Sequence, residues 1–178
     1  TAKPNGHCLL LNDANDQSFA WLVRDRAERY DRPDWLYCYS NGAEGTPPAA
    51  GPSVMYPWSG RLVSRSGWDA LAEWSVFDIG PWGWGHQHND KLHLSVFAHG
   101  RDLLVDSGRY TYKDYGSWDP SNRRGYVRRS WGHNVILVEN QSQNNDSKFA
   151  QQPVVDYAIS DRFTYARGTF DQIGRAHV

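Results

Sequence analysis

The middle of the chain reads Leu92-His93-Leu94-Ser95-Val96-Phe97-Ala98-His99-Gly100-Arg101-Asp102-Leu103-Leu104-Val105-Asp106, and this stretch predicts a β-hairpin. Its hydrophobic pattern has a period of two over Leu92–Ala98 and over Asp102–Asp106, which is typical of strands. The dipeptide His99-Gly100 lies between the two runs and is typical of a tight turn. The sequence therefore predicts two antiparallel neighbours at this point.

Short strands are predicted on both sides of this hairpin. They are Val54–Trp58, Leu62–Arg65 and Ala72–Phe77 before it, and Asn134–Glu139, Val154–Ser160 and Phe163–Gly168 after it. Many short strands with turn residues between them are typical of an antiparallel β-sandwich. The fold class is therefore predicted as mainly β.

The chain before Val54 predicts helices instead. Residues 15–31 carry an apolar stripe at helical spacing, with Asn15 or Asp16 as the cap and Asp31-Arg32-Pro33 as the end. Pro33 suits the first turn of a second short helix. Residues 41–53 are dense in Gly and Pro and predict a linker or domain boundary.

The composition argues against two kinds of partner. The formal net charge is −1, which does not indicate an electrostatic nucleic-acid binder. No apolar run approaches the roughly 20 residues that span a bilayer. The chain has 9 Trp and 10 Tyr, which suit either a sugar-binding cleft or a β core. Cys8 and Cys38 are compatible with a disulfide or with two free thiols.

Functional groups are densest in Gly85-His86-Gln87-His88-Asn89-Asp90. In an extended segment His86, His88 and Asp90 share one face, and His nitrogens with carboxylate oxygens are common zinc ligands. Asp106 and His133 each lie at one end of a predicted strand, and a sandwich can bring such ends together.

Two alternatives stay open for these histidines. A two-residue turn at His99-Gly100 pairs Asp106 with His93, so either His93 helps to hold Asp106 or the chain before Leu92 curls back to bring His88 there. The histidines can also simply satisfy backbone groups on a polar sheet surface.

Several motifs recur in the order of one family. They are Gly85-His86-Gln87-His88-Asn89-Asp90-Lys91-Leu92-His93-Leu94, Gly100-Arg101-Asp102-Leu103-Leu104-Val105-Asp106-Ser107-Gly108, Tyr110-Thr111-Tyr112 and His133-Asn134-Val135. Together they resemble the heparinase II/III-like family of polysaccharide lyases, which includes oligoalginate lyases.

The resemblance implies a β-sandwich that follows an α/α toroid. Residues 1–45 would be the end of the toroid, 46–53 the linker and 54–172 an incomplete sandwich domain. Residues 173–178 are predicted to be a non-native tail, because they read like a translated sequencing adapter. The rest of the toroid would belong to the same parent chain.

The resemblance also implies roles for particular residues. His88, Asp106 and His133 would hold a structural zinc ion. His86 would lie at the active site and help to neutralise the uronate carboxylate of the substrate. The alginate-type proton-transfer tyrosine maps near Trp118, so Tyr115 beside it is the catalytic candidate and Trp118 a candidate substrate contact.

An arginine run precedes His133, and its members are Arg123, Arg124, Arg128 and Arg129. Arginine grips carboxylates and sulfates with a planar fork, so we select Arg124 as a substrate-binding candidate. The alternative for this run is a solvated loop.

The resulting prediction is a fragment of a polysaccharide lyase that cleaves a uronic-acid-containing polysaccharide, such as a glycosaminoglycan or alginate, by β-elimination. By resemblance its parent would be bacterial, in the periplasm or cell envelope, and its partner an acidic polysaccharide or oligosaccharide. The fragment alone is predicted to be inactive because the toroid residues are missing. The alternatives are a non-catalytic carbohydrate-binding or structural sandwich, and a metallo-hydrolase using the HxHxD pattern, in which Lys91 stands where that class has His.

Overall fold

The computed structural model describes residues 2–81, 83, 85–113, 116–143 and 156–170. The helices are α1 (Ala20–Arg29), α2 (Pro33–Tyr39) and α3 (Arg123–Arg128), followed by a 3₁₀ turn at Ser130–Gly132. The strands are β1 (Val54–Tyr56), β2 (Arg61–Arg65), β3 (Trp74–Asp78), β4 (His93–Ala98), β5 (Arg101–Leu104), β6 (Asp156–Ile159) and β7 (Thr164–Arg167).

The first five strands form one antiparallel sheet in the order β1-β2-β3-β4-β5. The last two strands form a separate antiparallel pair. This arrangement, mainly antiparallel sheet with few helices, confirms the predicted mainly β fold class.

The sheet has an apolar cluster on each face. One cluster contains Val63, Trp74, Val76 and Phe97 and packs against Leu9 of the N-terminal segment. The other contains Met55, Leu62 and Ile79 and packs against Ala166 of β7. Burial of both faces is the main source of stability in such a layered structure.

The central hairpin forms as predicted but with one irregularity. His99 and Gly100 both have positive φ, of 54° and 74°, which is typical of a two-residue hairpin turn. The register then shifts between Val96 and Phe97, because Phe97 pairs with Asp102 whereas Val96 pairs with Leu104. A bulge of this kind moves all later pairs by one residue.

The predicted strand Asn134–Glu139 is wrong. Asn134 bonds to the backbone of Leu94, but the chain then turns at Glu139 and Asn140, which both have positive φ. Val138 and Gln141 form only an isolated bridge around this turn. Residues 144–155 lie outside the described part, so the start of the predicted strand Val154–Ser160 is not described.

The first helix begins later than the apolar stripe predicts. Ser18 forms a bridge with His7 and the carbonyl of Gln17 accepts a hydrogen bond from the backbone N–H of Cys8, so Gln17 and Ser18 are not yet helical. Asp16 does not cap the helix; its carboxylate lies 2.7 Å from His7 Nδ1. Asp31, with φ 49°, ends the helical region and Pro33 begins α2, as predicted.

The two N-terminal helices lie near the sheet, and residues of the helices and of the sheet, among them Leu22, Trp35 and Val63, line a cavity of about 420 Å³. Cys8 and Cys38 are both free thiols, so the disulfide alternative is not realised. None of the helices in the described part of the chain has both the length and the apolar composition of a membrane-spanning segment.

Candidate metal and active site

The segment that carries the histidine pair is bent rather than extended. Gly85 and His86 both have positive φ, of 63° and 53°, and the regular strand starts only at His93. The His86 side chain is 59% exposed whereas that of His88 is fully buried. The expectation that both point the same way by strand alternation is therefore wrong, because alternation requires extended backbone.

The buried ring of His88 has one nitrogen available for metal binding. Its Nε2 lies 3.0 Å from Oδ1 of Asp13, and because a carboxylate only accepts, Nε2 carries the proton. Burial, with a contribution from His133, lowers the pKa of His88 to about 4, which keeps the ring neutral. Its Nδ1 then holds a lone pair, and this atom is buried without a hydrogen-bond partner among the described residues.

Asp106 and His133 form a buried pair beside His88. His133 Nδ1 lies 2.7 Å from Asp106 Oδ2, and the other oxygen of Asp106 accepts the backbone N–H of Gly108 at 2.7 Å. Burial opposes ionisation of both groups, but their mutual interaction outweighs burial. It lowers the pKa of Asp106 and raises the pKa of His133.

The structure brings the three predicted metal ligands together. His88, Asp106 and His133 are all buried, and one ligand atom from each lies within 4.8 Å of the others. Nε2 of His133 is a second buried ring nitrogen without a partner in the described chain. Two imidazoles and a carboxylate are a donor set that suits zinc, so these residues fit the predicted ion.

The remaining acidic and imidazole groups nearby are not in this cluster. His93 Nδ1 accepts the backbone N–H of Asn134 at 3.2 Å and its Nε2 bonds Ser95 Oγ at 2.8 Å, so both nitrogens are used. Its Nδ1 is 3.8 Å from Asp106, which makes it a neighbour of that carboxylate rather than its direct pair. The bulge in the hairpin and the bend before Leu92 together let His88 reach the cluster.

Asp90, the third residue of the HxHxD pattern, is also outside the cluster. It is buried, and burial raises the pKa of its carboxyl to about 7. The metal-type cluster contains neither His86 nor Asp90. Of the three ligands that the HxHxD hydrolase alternative requires, only His88 therefore lies in the cluster.

The most connected side chain at the site is Asp13, which lies before α1. Its Oδ2 is 2.7 Å from Nδ1 of His86 while its Oδ1 bonds His88. Arg124 contacts both oxygens, with Nη1 2.6 Å from Oδ1 and Nη2 2.8 Å from Oδ2. Burial alone would raise the pKa of this carboxyl, but the hydrogen bonds from Arg124 and the two histidines outweigh it and lower the pKa to about 2.

Three residues of the arginine run, Arg123, Arg124 and Arg128, lie in α3 rather than in a solvated loop, and Arg129 follows the helix. Arg124 is only 1% exposed and donates to the carbonyl of Arg109 as well as to Asp13. Arg123 instead donates to the hydroxyl of Tyr110 at 2.7 Å. A direct contact between Arg124 and a substrate stays a prediction, and its ion pair with Asp13 is the role that the geometry supports.

A tyrosine lies beside His86. Tyr112 Oη is 3.4 Å from His86 Nδ1, and the guanidinium of Arg109 lies 4.6 Å from the Tyr112 ring centroid. Trp118 is half-buried, with the Arg128 guanidinium 3.7 Å from its ring centroid. Tyr115 lies outside the described residues, so its predicted role, like that of Trp118, stays a prediction.

Comparison with known sequences identifies the family. The profile of the heparinase II/III-like C-terminal domain matches residues 57–168, which is well over half of the chain. This chain belongs to the heparinase II/III-like family. A curated relative, the heparin-sulfate lyase of Bacteroides stercoris, is 28% identical over 106 residues, which cover 60% of this chain and 16% of that protein.

Solved structures share the fold of this heparinase II/III-like chain. The heparan sulfate lyase HepC from Pedobacter heparinus superposes with a TM-score of 0.74 at 20% identity, covering 89% of this chain and 24% of that one. A heparinase III structure gives a TM-score of 0.72 at 23% identity, over 86% of this chain and 24% of its own. The chain thus spans about a quarter of the length of these structural relatives.

Two residues of the heparinase II/III-like site were not selected from the sequence. Asp13 lies just before the predicted cap at Asn15 or Asp16, and nothing in the sequence connects it to His86, 73 residues later. Tyr112 belongs to the motif Tyr110-Thr111-Tyr112, which lies between the histidine motifs in the sequence. This position is the sequence feature that could have indicated a role for Tyr112 at the site.

Proposed function

We propose that this chain is the C-terminal part of a lyase that cleaves a glycosaminoglycan of the heparan sulfate type by β-elimination. Family membership supports the polysaccharide lyase class. The name of the Bacteroides stercoris relative supports the substrate class. The observation that carries the proposal is that an exposed histidine, His86, bonds the same carboxylate, that of Asp13, as His88 of the buried metal-type cluster.

The chemistry of β-elimination explains why such a histidine is needed. The lyase removes the proton alpha to the uronate carboxylate and expels the oxygen at C4. That proton is weakly acidic until the carboxylate charge is neutralised, so a hydrogen-bond donor or cation at the carboxylate stabilises the enolate-like transition state. We propose His86 for this task in its imidazolium form, because only that form can donate Nδ1–H to Asp13 and also donate Nε2–H to the substrate carboxylate.

Proton transfer requires a second group. Tyr115 is the candidate from the resemblance, and Tyr112 joins it because its hydroxyl lies 3.4 Å from His86 Nδ1. A positioned tyrosine can act as a general acid or base. We also propose that Trp118 and Arg124 contribute to substrate binding. Arg124 would do so through its positive charge, which lies beside Asp13.

We propose further that His88, Asp106 and His133 hold a structural zinc ion. The donor set and the unpartnered ring nitrogens of the two histidines support the assignment. The ion would tie three segments together and would thereby stabilise the base of the site. When bound, it would supply charge and rigidity rather than take part in the elimination.

Metal content tests the zinc proposal. We expect one zinc ion per purified chain, and we expect His88→Ala and Asp106→Ala to lose the metal and to melt at a lower temperature. His99→Ala, which removes an exposed histidine of the hairpin turn, is the control and should keep the metal. Well-folded protein that binds no zinc would overturn this proposal.

Activity tests the lyase proposal in the longer enzyme that contains the toroid. We expect His86→Ala to lower kcat on heparan sulfate by about 10²- to 10³-fold, the usual cost of losing a group that stabilises transition-state charge. His99→Ala should leave kcat unchanged. Formation of the unsaturated uronate is followed by ultraviolet absorbance. A full-length protein that binds heparan sulfate without eliminating it would favour the non-catalytic binding module.

The isolated chain should give no product in the same assay. The reason is that the family places further catalytic groups on the toroid. Turnover by these 178 residues alone would contradict this part of the proposal.

A further inference from the structure

Asp13 connects two histidines that have different tasks. Its Oδ1 accepts from Nε2 of His88, a proposed zinc ligand, at 3.0 Å. Its Oδ2 accepts from Nδ1 of His86, the exposed proposed catalytic histidine, at 2.7 Å. One rigid carboxylate therefore links the buried cluster to the surface residue without any intervening group.

The plane of this carboxylate is fixed by Arg124. The guanidinium reaches both oxygens and is itself anchored by the carbonyl of Arg109 at 3.0 Å. A bidentate arginine–carboxylate pair is among the most directional of hydrogen-bonded contacts. Asp13 is also well shielded, with its side chain only 5% exposed, so water does not compete strongly for its oxygens.

The backbone around Asp13 is held independently of its side chain. The amide oxygen of Asn12 accepts the backbone N–H of His88 at 2.9 Å. The carbonyl of Ala14 accepts the backbone N–H of Arg109 at 3.0 Å. A change confined to the Asp13 carboxylate should therefore leave the segment in place.

The site requires a carboxylate rather than an amide. Two imidazole N–H groups and two guanidinium N–H groups converge on the Asp13 oxygens, and an ionised carboxylate has acceptor sites for all four. An asparagine has one acceptor oxygen and an NH₂ group that would face a donor. At least one of the two histidines would then lose its acceptor.

We propose that Asp13 is a positioning residue that couples the metal ligand to the active-site histidine. By accepting from Nε2 of His88 it directs the Nδ1 lone pair of that ring toward the metal cluster, as outer carboxylates do for metal-bound histidines. By accepting from His86 it fixes the ring that faces the substrate. Occupation of the metal site then changes the environment of His86, and this inference rests on the zinc proposal above.

Zinc affinity is the first test, measured by competition with a chelating indicator at one fixed pH. We expect Asp13→Asn to weaken zinc binding by about 10- to 100-fold, the usual cost of losing an outer-shell partner. Asp16→Asn is the matched control, because Asp16 also pairs with a histidine at 2.7 Å but does so at the surface, with His7. It should bind zinc as the wild type does.

Side-chain ¹⁵N NMR of the histidine rings is the second test. The His86 signals are assigned by their loss in His86→Gln. In the wild type, zinc should shift the ring resonances of His86 as well as those of His88. In Asp13→Asn, zinc should leave the His86 resonances unchanged. The wild-type titration tests the coupling without any variant, so it stands even if Asp13→Asn folds poorly.

The outcomes separate the two proposals. A wild-type chain that binds no zinc would overturn the metal site and the coupling with it. Zinc binding that is equally tight in Asp13→Asn and in the wild type, with the same shift at His86, would overturn the role of Asp13 alone. A merely structural role for Asp13 would lower stability in both metal-free and metal-loaded protein without removing the response of His86.

Discussion

Replacement of Gly108 by alanine should destabilise the attachment of the N-terminal segment to the sandwich. Gly108 has φ +57°, and a Cβ built there would lie 2.5 Å from the carbonyl oxygen of Ala14. That oxygen accepts the backbone N–H of Arg109, so it cannot retreat without breaking a hydrogen bond. Gly108 is thus constrained both by its backbone conformation and by a close approach.

Both constraints contribute to the expected decrease in the free energy of unfolding. The left-handed conformation costs a residue with a Cβ about 1–2 kcal/mol. Loss of the Arg109–Ala14 hydrogen bond adds about 0.5–1.5 kcal/mol. We therefore expect Gly108→Ala to lower the free energy of unfolding by about 1.5–3.5 kcal/mol, measured by urea denaturation followed through tryptophan fluorescence.

The control for this prediction is Gly116→Ala. Gly116 also has positive φ, +89°, but no heavy atom lies within 4 Å of its added Cβ. It should therefore show only the conformational part, about 1–2 kcal/mol. Equal losses in the two variants would refute the reasoning, because the contact with Ala14 would then contribute nothing.

Three further changes have defined outcomes. Phe97→Ala should cost about 3–5 kcal/mol in the same denaturation assay, because Phe97 is only 1% exposed in the apolar cluster; a loss under 1 kcal/mol would mean that the cluster repacks. Asn134→Ala should cost about 1–3 kcal/mol, since its amide donates to the carbonyls of Leu94 and Val105, and an unchanged urea midpoint would argue against both bonds. Burial raises the pKa of the Cys38 thiol, so its alkylation at neutral pH should be slower in folded than in urea-unfolded protein and should accelerate as pH rises; equal rates would contradict this.

The sheet could be predicted from the sequence because its signals are local. Alternating apolar residues and the His99-Gly100 turn define the hairpin, and the observed strands β1 to β5 lie within about two residues of those expected. Asn134–Glu139 has the same alternation but is not a strand, because pairing depends on a neighbour that the sequence does not specify. The bulge near Phe97 could not be predicted either, because it changes the register between β4 and β5 without any mark in the composition.

The metal cluster was predictable only through motif order. Spacing alone left His93 and His88 as competing partners of Asp106, and the resemblance to the family selected His88. The contacts of Asp13 could not be found in this way, because Asp13 lies before the predicted helix and 73 residues from His86 in sequence. Its role depends on tertiary packing, which no local pattern encodes.

The attachment of Asn12 and Ala14 to the sandwich also bears on how the protein can be divided. A fragment that begins at Val54, where the sequence suggests that the sandwich domain starts, would retain His88, Asp106 and His133 but would lack the carboxylate that orients His88. The mostly exposed stretch 43–51 joins the two parts covalently, yet the bonds at Asn12 and Ala14 hold them together at the site. The unit that can be excised without loss of function is therefore larger than the unit that folds as a sheet, and a sandwich transferred to another protein would need to bring residues 12–14 with it.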